Sequence, residues 1–148
     1  MVLDTSAILA ILQDEPERRL FNEAIEAAET RVLSTASFVE CSLILESRYG
    51  PDGVRDLDLF ISKAQIILAP VDDEQANLAR RAFREYGKGR HSAGLNYGDC
   101  FSYALAVARN EALLFKGGDF SRTDVECHKA SGDEFPDCIH DKPTRKRK

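Results

Sequence analysis

Met1-Val2-Leu3-Asp4-Thr5-Ser6-Ala7 opens the chain, and Ile8-Leu9-Ala10-Ile11-Leu12 follows. Val2 to Thr5 predicts a short strand with an acid near its end. Ala7 to Leu12 predicts a short helix, capped by Thr5 or Ser6. The alternation then repeats. Pro16 starts a helix that Glu17 to Ala28 continues, and Arg31 to Leu33 is a second strand. Ser34 or Thr35 caps a helix from Ala36 to Tyr49. Gly50-Pro51 ends it and opens another, Val54 to Ala64. Ile66 to Ala69 is an unbroken apolar run before Pro70, which predicts a strand buried on both faces. Asp72 with Gln75 marks the start of a helix reaching about Tyr86. Gly87 to Gly94 predicts a polar loop, Asn96 caps a helix from Tyr97 to Arg109, and Ala112 to Phe115 is a fourth strand. Thr123 to Glu126 is a candidate fifth.

Strands alternating with helices predict an α/β domain: a central parallel sheet with helices on both faces, a three-layer sandwich. At 148 residues the chain fits one domain large enough to bury a core without disulfides. We place that domain at residues 1–126 and expect a loosely ordered tail over 127–148. Charged residues make up 30% and apolar ones 43%, which argues against disorder. No apolar run approaches the roughly 18 residues of a membrane span, and no basic segment precedes an apolar stretch at the N-terminus. The expectation is a cytoplasmic protein. The four cysteines suggest no disulfide framework. Cys127, His128, Cys138 and His140 match no standard zinc-finger spacing, so they are read as part of the tail. The net charge is −5, but Arg80, Arg81, Arg84, Lys88, Arg90 and His91 crowd one stretch, and Arg145 to Lys148 close the chain.

Ligands of open parallel sheets bind outside the carboxyl ends of the strands. Acids near that edge are therefore the candidates. Asp4 ends the first strand, although alone it reads equally as a cap or turn residue. Glu40 lies inside a helix with Ala36, Ser37, Leu43 and Ile44 at three- and four-residue spacing, a face that looks core-directed. A buried carboxylate there needs a cation or metal, unless it forms a salt bridge at the helix edge. Asp99 stands in the first turn after Asn96, where an acid also complements the helix dipole. Asp119 follows the fourth strand. Strands one and four should be neighbours, which gathers these acids together. Converging carboxylates repel unless a divalent cation neutralises them, and all-oxygen ligands suit Mg²⁺ or Mn²⁺. Such a site can activate water against a phosphodiester.

These segments resemble the PIN-domain ribonucleases, and among them the VapC toxins of VapBC toxin–antitoxin pairs. Val2-Leu3-Asp4-Thr5-Ser6-Ala7 is similar to that family's opening strand and first acid. Ser34-Thr35-Ala36-Ser37-Phe38-Val39-Glu40 is similar to its second-acid helix. Leu95-Asn96-Tyr97-Gly98-Asp99-Cys100-Phe101-Ser102-Tyr103-Ala104 resembles the third-acid segment, and Leu113-Leu114-Phe115-Lys116-Gly117-Gly118-Asp119-Phe120 the closing strand and fourth acid. The likeness spans about residues 1–125. It implies an endoribonuclease dependent on Mg²⁺, with Mn²⁺ able to substitute, a VapB-like antitoxin partner and a homodimer. It implies catalytic acids Asp4, Glu40, Asp99 and Asp119, with Asp4 and Asp99 on the metal and a hydroxyl from Ser6 or Thr5 nearby. Many relatives carry the fourth acid or an Asn two positions earlier, where this chain has Gly117. Arg84, Lys88, Arg90 and His91, leading into the third-acid segment, are candidate RNA contacts. The helix at Ala7–Leu12 and the helix around Phe38, Leu45 and Tyr49 are candidates for an apolar groove for the antitoxin.

A phosphatase of the haloacid-dehalogenase type wants a second Asp two residues after the first, where Ser6 stands. A phospho-receiver domain wants an acidic pair there, and neither accounts for Glu40. A PIN-like RNA- or protein-binding module without catalysis is the alternative. The chain keeps at least three acids, which favours an enzyme.

Overall fold

The structure is a computed structural model, and it describes residues 1–128. Most of the expected tail, with Cys138 and His140, lies outside the described residues. The element order is β1 (Val2–Leu3), α1 (Thr5–Leu12), α2 (Arg18–Ala27), β2 (Val32–Ser34), α3 (Thr35–Tyr49), α4 (Pro51–Lys63), β3 (Ile67–Ala69), α5 (Asp73–Tyr86), α6 (Tyr97–Arg109) and β4 (Leu113–Leu114). A 3₁₀ turn follows at Phe120–Arg122. The four strands form one parallel sheet in the order β3-β2-β1-β4. The first and fourth strands are neighbours, as the spacing of the acids requires.

Side chains alternate across a strand, and in-register neighbours share a face. Val2 pairs with Val32 and Leu113, and all three enter a core with Ala79 and Ala82 of α5 and Tyr103 to Ala106 of α6. Leu3 pairs with Leu33 and Leu114, and these enter a second core with Ala7, Ile8 and Ile11 of α1, Phe21 and Ile25 of α2, Cys41 and Leu45 of α3 and Leu57 of α4. Two- and three-residue strands thus suffice to divide the helices into two layers.

Four expectations need correction. Asp4, not Thr5 or Ser6, caps α1: its backbone is extended and its carboxylate accepts from Ser6 N. β3 is not buried on both faces, because it is the edge strand of the sheet and only partly covered by the helices. Ile67 is 54% exposed and Leu68 36%. Thr123 to Glu126 forms no strand. Instead Leu113 makes a single parallel bridge to Cys127, with Leu113 N donating to Glu126 O at 2.8 Å. The apolar candidates for an antitoxin groove are mostly core: Ala7, Ile8, Ala10, Ile11 and Leu45 are buried, while Tyr49 is exposed.

Ser34 and Asp72 cap α3 and α5 through their side chains. The C-terminal segment is fastened by the Tyr103 hydroxyl, which donates to Asp124 at 2.6 Å from a fully buried ring. The Cys41 and Cys100 thiols are buried and free. Burial pushes them up to about 12 and about 11, so they stay protonated and unreactive. No helix among the described residues is long and apolar enough to cross a membrane.

The contrast between centre and edge is measurable. Leu33→Ala should cost about 2–5 kcal/mol in urea unfolding, because it opens a cavity between two layers. Leu68→Ala, on the uncovered edge, should stay within about 1 kcal/mol. Equal losses would show that β3 is covered.

Candidate active site

Asp4 leaves β1 at the carboxyl edge of the sheet and is 4% exposed. Its backbone N–H continues the β1–β4 ladder, donating to Leu114 O at 2.9 Å. Its Oδ2 accepts from Ser6 N at 3.0 Å and from Ser6 Oγ at 2.6 Å. Ser6 Oγ in turn accepts from Lys116 N at 3.0 Å. One hydroxyl therefore couples the first acid to the chain leaving β4. Of the two hydroxyl candidates, Ser6 meets Asp4, whereas Thr5 is buried with its side chain beside the Cys41 thiol.

Asp99 sits at the start of α6 in a complete capping box. Its N–H donates to Asn96 Oδ1 and its Oδ2 accepts from Asn96 N, both at 2.9 Å. The capping role and the site role thus coexist in one side chain. Burial pushes the Asp99 carboxyl up to about 6, and the charges of Asp4, Asp119 and Glu40 push in the same direction, against the hydrogen bond from Asn96. The other three acids predicted from the sequence therefore all bear on Asp99 at a single edge.

Glu40 is half-buried, at the margin of α3 rather than on its core face, which is Ser37, Cys41 and Leu45. Its carboxylate presses on the first turn of α6: a Cβ on Gly98 would lie 2.1 Å from Glu40 Oε2. Below that contact Ser37 Oγ and Ser102 Oγ meet at 3.2 Å in the buried seam between the two helices. Gly98 and this serine pair are positioning features that reading the acids alone missed. The signal was a glycine inside a helix, which local propensity disfavours. Asp119 is exposed, just ahead of the 3₁₀ turn, and Gly117 has φ +94, the left-handed region.

No ion pair among the described residues engages Asp4, Glu40, Asp99 or Asp119. Lys116 leaves β4 nearby, but its amine is held by Glu15 and by Glu17, the latter at 3.2 Å. Among the described residues no three Asp, Glu, His or Cys side chains close tightly enough to cage an ion. The donor set, all oxygen and unneutralised, fits a hard divalent cation that keeps part of its water shell.

The basic candidates occupy the end of α5 and the loop after it. Arg84, Lys88, Arg90 and His91 are exposed. Lys88 N donates to Leu95 O and Leu95 N to Tyr86 O, both at 2.9 Å, which stitches the loop to the residue before Asn96. His91 turns back onto the loop: its Nδ1 accepts from Ala93 N at 3.0 Å and its ring meets Tyr86 edge-on.

Two consequences can be measured. In the metal-free protein a raised Asp99 binds more protons folded than unfolded, so its contribution to stability falls as pH rises through about 4 to 6. The melting temperature of Asp99→Asn, compared with wild type under chelator, should gain as pH rises across that window. A constant difference would remove the strained carboxylate. Gly98→Ala should destabilise the wild-type protein but be neutral or stabilising in a Glu40→Ala background, where alanine regains about 0.5–1 kcal/mol over glycine in a helix. Equal effects in both backgrounds would show that Glu40 does not bear on Gly98.

The comparisons agree with this geometry. The PIN domain family model matches residues 1–126. The chain is 54% identical over 125 residues to Ribonuclease VapC30 of Mycobacterium tuberculosis, covering 84% of this chain and 95% of that protein. It is equally similar to Ribonuclease VapC of Mycolicibacterium smegmatis, covering 84% and 97%. Among solved structures, M. tuberculosis VapC20, a Sarcin-Ricin loop cleaving toxin, superposes with a TM-score of 0.69 at 14% identity, covering 84% and 95%. VapBC-1 of nontypeable Haemophilus influenzae gives 0.70 at 14% identity, covering 88% and 98%. The last two likenesses bear on the fold, and the two ribonucleases on the family. With its acids gathered at one sheet edge and residues 1–126 matched by the family model, the chain belongs to the PIN domain family and, within it, to the VapC ribonucleases.

Proposed function

We propose that this VapC ribonuclease is the toxin of a toxin–antitoxin pair, an endoribonuclease that hydrolyses RNA phosphodiester bonds with a divalent cation. The observation that supports it most is the raised Asp99 carboxyl, pushed up by burial and by the charges of Asp4, Asp119 and Glu40 at the same sheet edge. Asp4 and Asp99 would hold the ion, Mg²⁺ with Mn²⁺ as substitute, while Glu40 and Asp119 complete the acid set. A bound ion supplies charge neutralisation and a more acidic water. The chain's own part is orientation. Ser6 fixes one oxygen of Asp4, Asn96 fixes one oxygen of Asp99, and Gly98 admits Glu40 beside them. Arg84, Lys88, Arg90 and His91 are the proposed RNA contacts, a basic border that counters repulsion between RNA and the acidic edge.

A VapB-like antitoxin is the proposed partner. Relatives of the same fold were solved as toxin–antitoxin assemblies, including one from Klebsiella pneumoniae. A basic side chain of the antitoxin entering between Asp4 and Asp99 would take the place of the cation. A homodimer and a cytoplasmic setting complete the reading, as does the assignment of residues 1–126 to the domain and the remainder to a tail.

The test of the chemistry is cleavage of RNA by purified protein with Mn²⁺ or Mg²⁺ and with chelator. Asp99→Asn preserves shape and should lower cleavage at least about a hundredfold, since metal-assisted activation of water supplies several kcal/mol. Near wild-type cleavage by that variant would remove Asp99 from the site. Cleavage undiminished by chelator would remove the metal.

A further inference from the structure

The chain has a net charge of −5, yet positions 80–91 hold Arg80, Arg81, Arg84, Lys88 and Arg90 against one acid, Glu85. Arg81 is engaged: it turns toward the Tyr103 hydroxyl and lies 3.8 Å from Glu85. No ion pair among the described residues engages Arg80, Arg84 or Arg90. These three line a groove of about 690 Å³ along α5, together with Arg81, Phe83, Leu78, Asn77 and a single acid, Glu74, so cations outnumber carboxylates four to one.

An exposed apolar residue alone means little. Phe83, 41% exposed, differs in how it is held. Its ring lies on Gly87, where a Cβ would fall 2.7 Å from ring Cδ2, and the Arg90 guanidinium stands over the ring, 5.3 Å from its centroid. Glycine, ring and guanidinium form a stack whose last member is exposed. A guanidinium is planar, weakly hydrated and cationic. Once backed by an aromatic ring it is a pre-ordered surface for another flat group, and bases stack on such planes.

The loop that carries Arg90 is braced against the acid edge. Its two ends pair through Lys88 and Leu95, and Arg122, just after Asp119, donates from Nη1 to Ser92 O at 2.8 Å. The residues after Leu95 are the Asn96–Asp99 capping box. The platform and the carboxylates therefore share one rigid connection.

We propose that this groove docks an unpaired stretch of the RNA substrate beside the cut. One base stacks on the Arg90 guanidinium backed by Phe83, and Arg80 and Arg84 hold the adjoining phosphates. A double helix offers no free base face there, so the groove selects RNA with a single-stranded flank. The inference rests on the ribonuclease reading above.

The chain contains no tryptophan, so Phe83→Trp places a lone fluorophore in the platform. With chelator present, a single-stranded RNA of about ten nucleotides should quench that emission, a blunt duplex of equal length should quench it far less, and polyglutamate should not. Phe83→Leu should weaken single-strand binding in fluorescence anisotropy by about 5- to 150-fold, the range of one lost stacking contact, with Phe83→Tyr restoring it. Arg80→Ala with Arg84→Ala should flatten the salt dependence by about 0.7 per phosphate contact. If Phe83→Leu binds like wild type in a protein that cleaves RNA, the groove is not a docking site and the ribonuclease reading stands. Equal quenching by polyglutamate would mark a site for acidic peptides and overturn the proposal. A wild-type protein that neither binds nor cleaves RNA overturns both.

Discussion

Repulsion among carboxylates at one edge of a parallel sheet is the constraint on which the rest of this structure depends. Burial and the charges of Asp4, Asp119 and Glu40 raise the cost of ionising Asp99, and the folded chain has to hold the acids together against that cost. It does so with short-range contacts, each attached to a different element. Ser6 binds Asp4 and is itself bound by the backbone leaving β4. Asn96 binds Asp99 across the first turn of α6. Gly98 lets Glu40 lie where any side chain would exclude it. None of these contacts supplies a positive charge, which is why the proposed function places an external cation at this edge.

The two cores supply the rigidity this requires. Three in-register positions of β1, β2 and β4 face α5 and α6, and the next three face α1 to α4. Asp4, Glu40 and Asp99 are carried on a strand end and two helices packed in these layers, so their spacing is set by packed elements, while Asp119 comes from the loop after β4. Lys116 shows how local competition is handled. Its backbone lies close to the acidic edge, yet Glu15 and Glu17 hold its amine, so it pairs with none of the four acids.

The basic border is organised separately but joined to the same frame. The loop from Gly87 to Leu95 is stitched at its base by backbone bonds and at its crown by Arg122. Asp119 and Arg122 flank one 3₁₀ turn, so a single short segment contributes an acid on one side and a brace for the basic loop on the other. In the proposed function this arrangement would give RNA a path of positive charge that ends at the carboxylates.

Much of this was legible from sequence because it is local. The strand-to-helix steps, the caps at Ser34, Asp72 and Asn96, and the order of the four acids follow from turn chemistry and spacing within a few residues. Parallel pairing of the first and fourth strands followed from the alternation of elements. What the tertiary structure alone decided concerns neighbours far apart in the chain. The apolar run Ile66 to Ala69 reads as a strand buried on both faces, but burial depends on its place in the sheet, and at the edge Ile67 and Leu68 stay exposed. Whether Thr5 or Ser6 meets Asp4 depended on the start of α1, two residues earlier than the pattern suggested. The contact of Glu40 with Gly98, separated by 58 positions, has no local signature, because packing between helices is set by the shapes of whole faces rather than by the identity of adjacent residues.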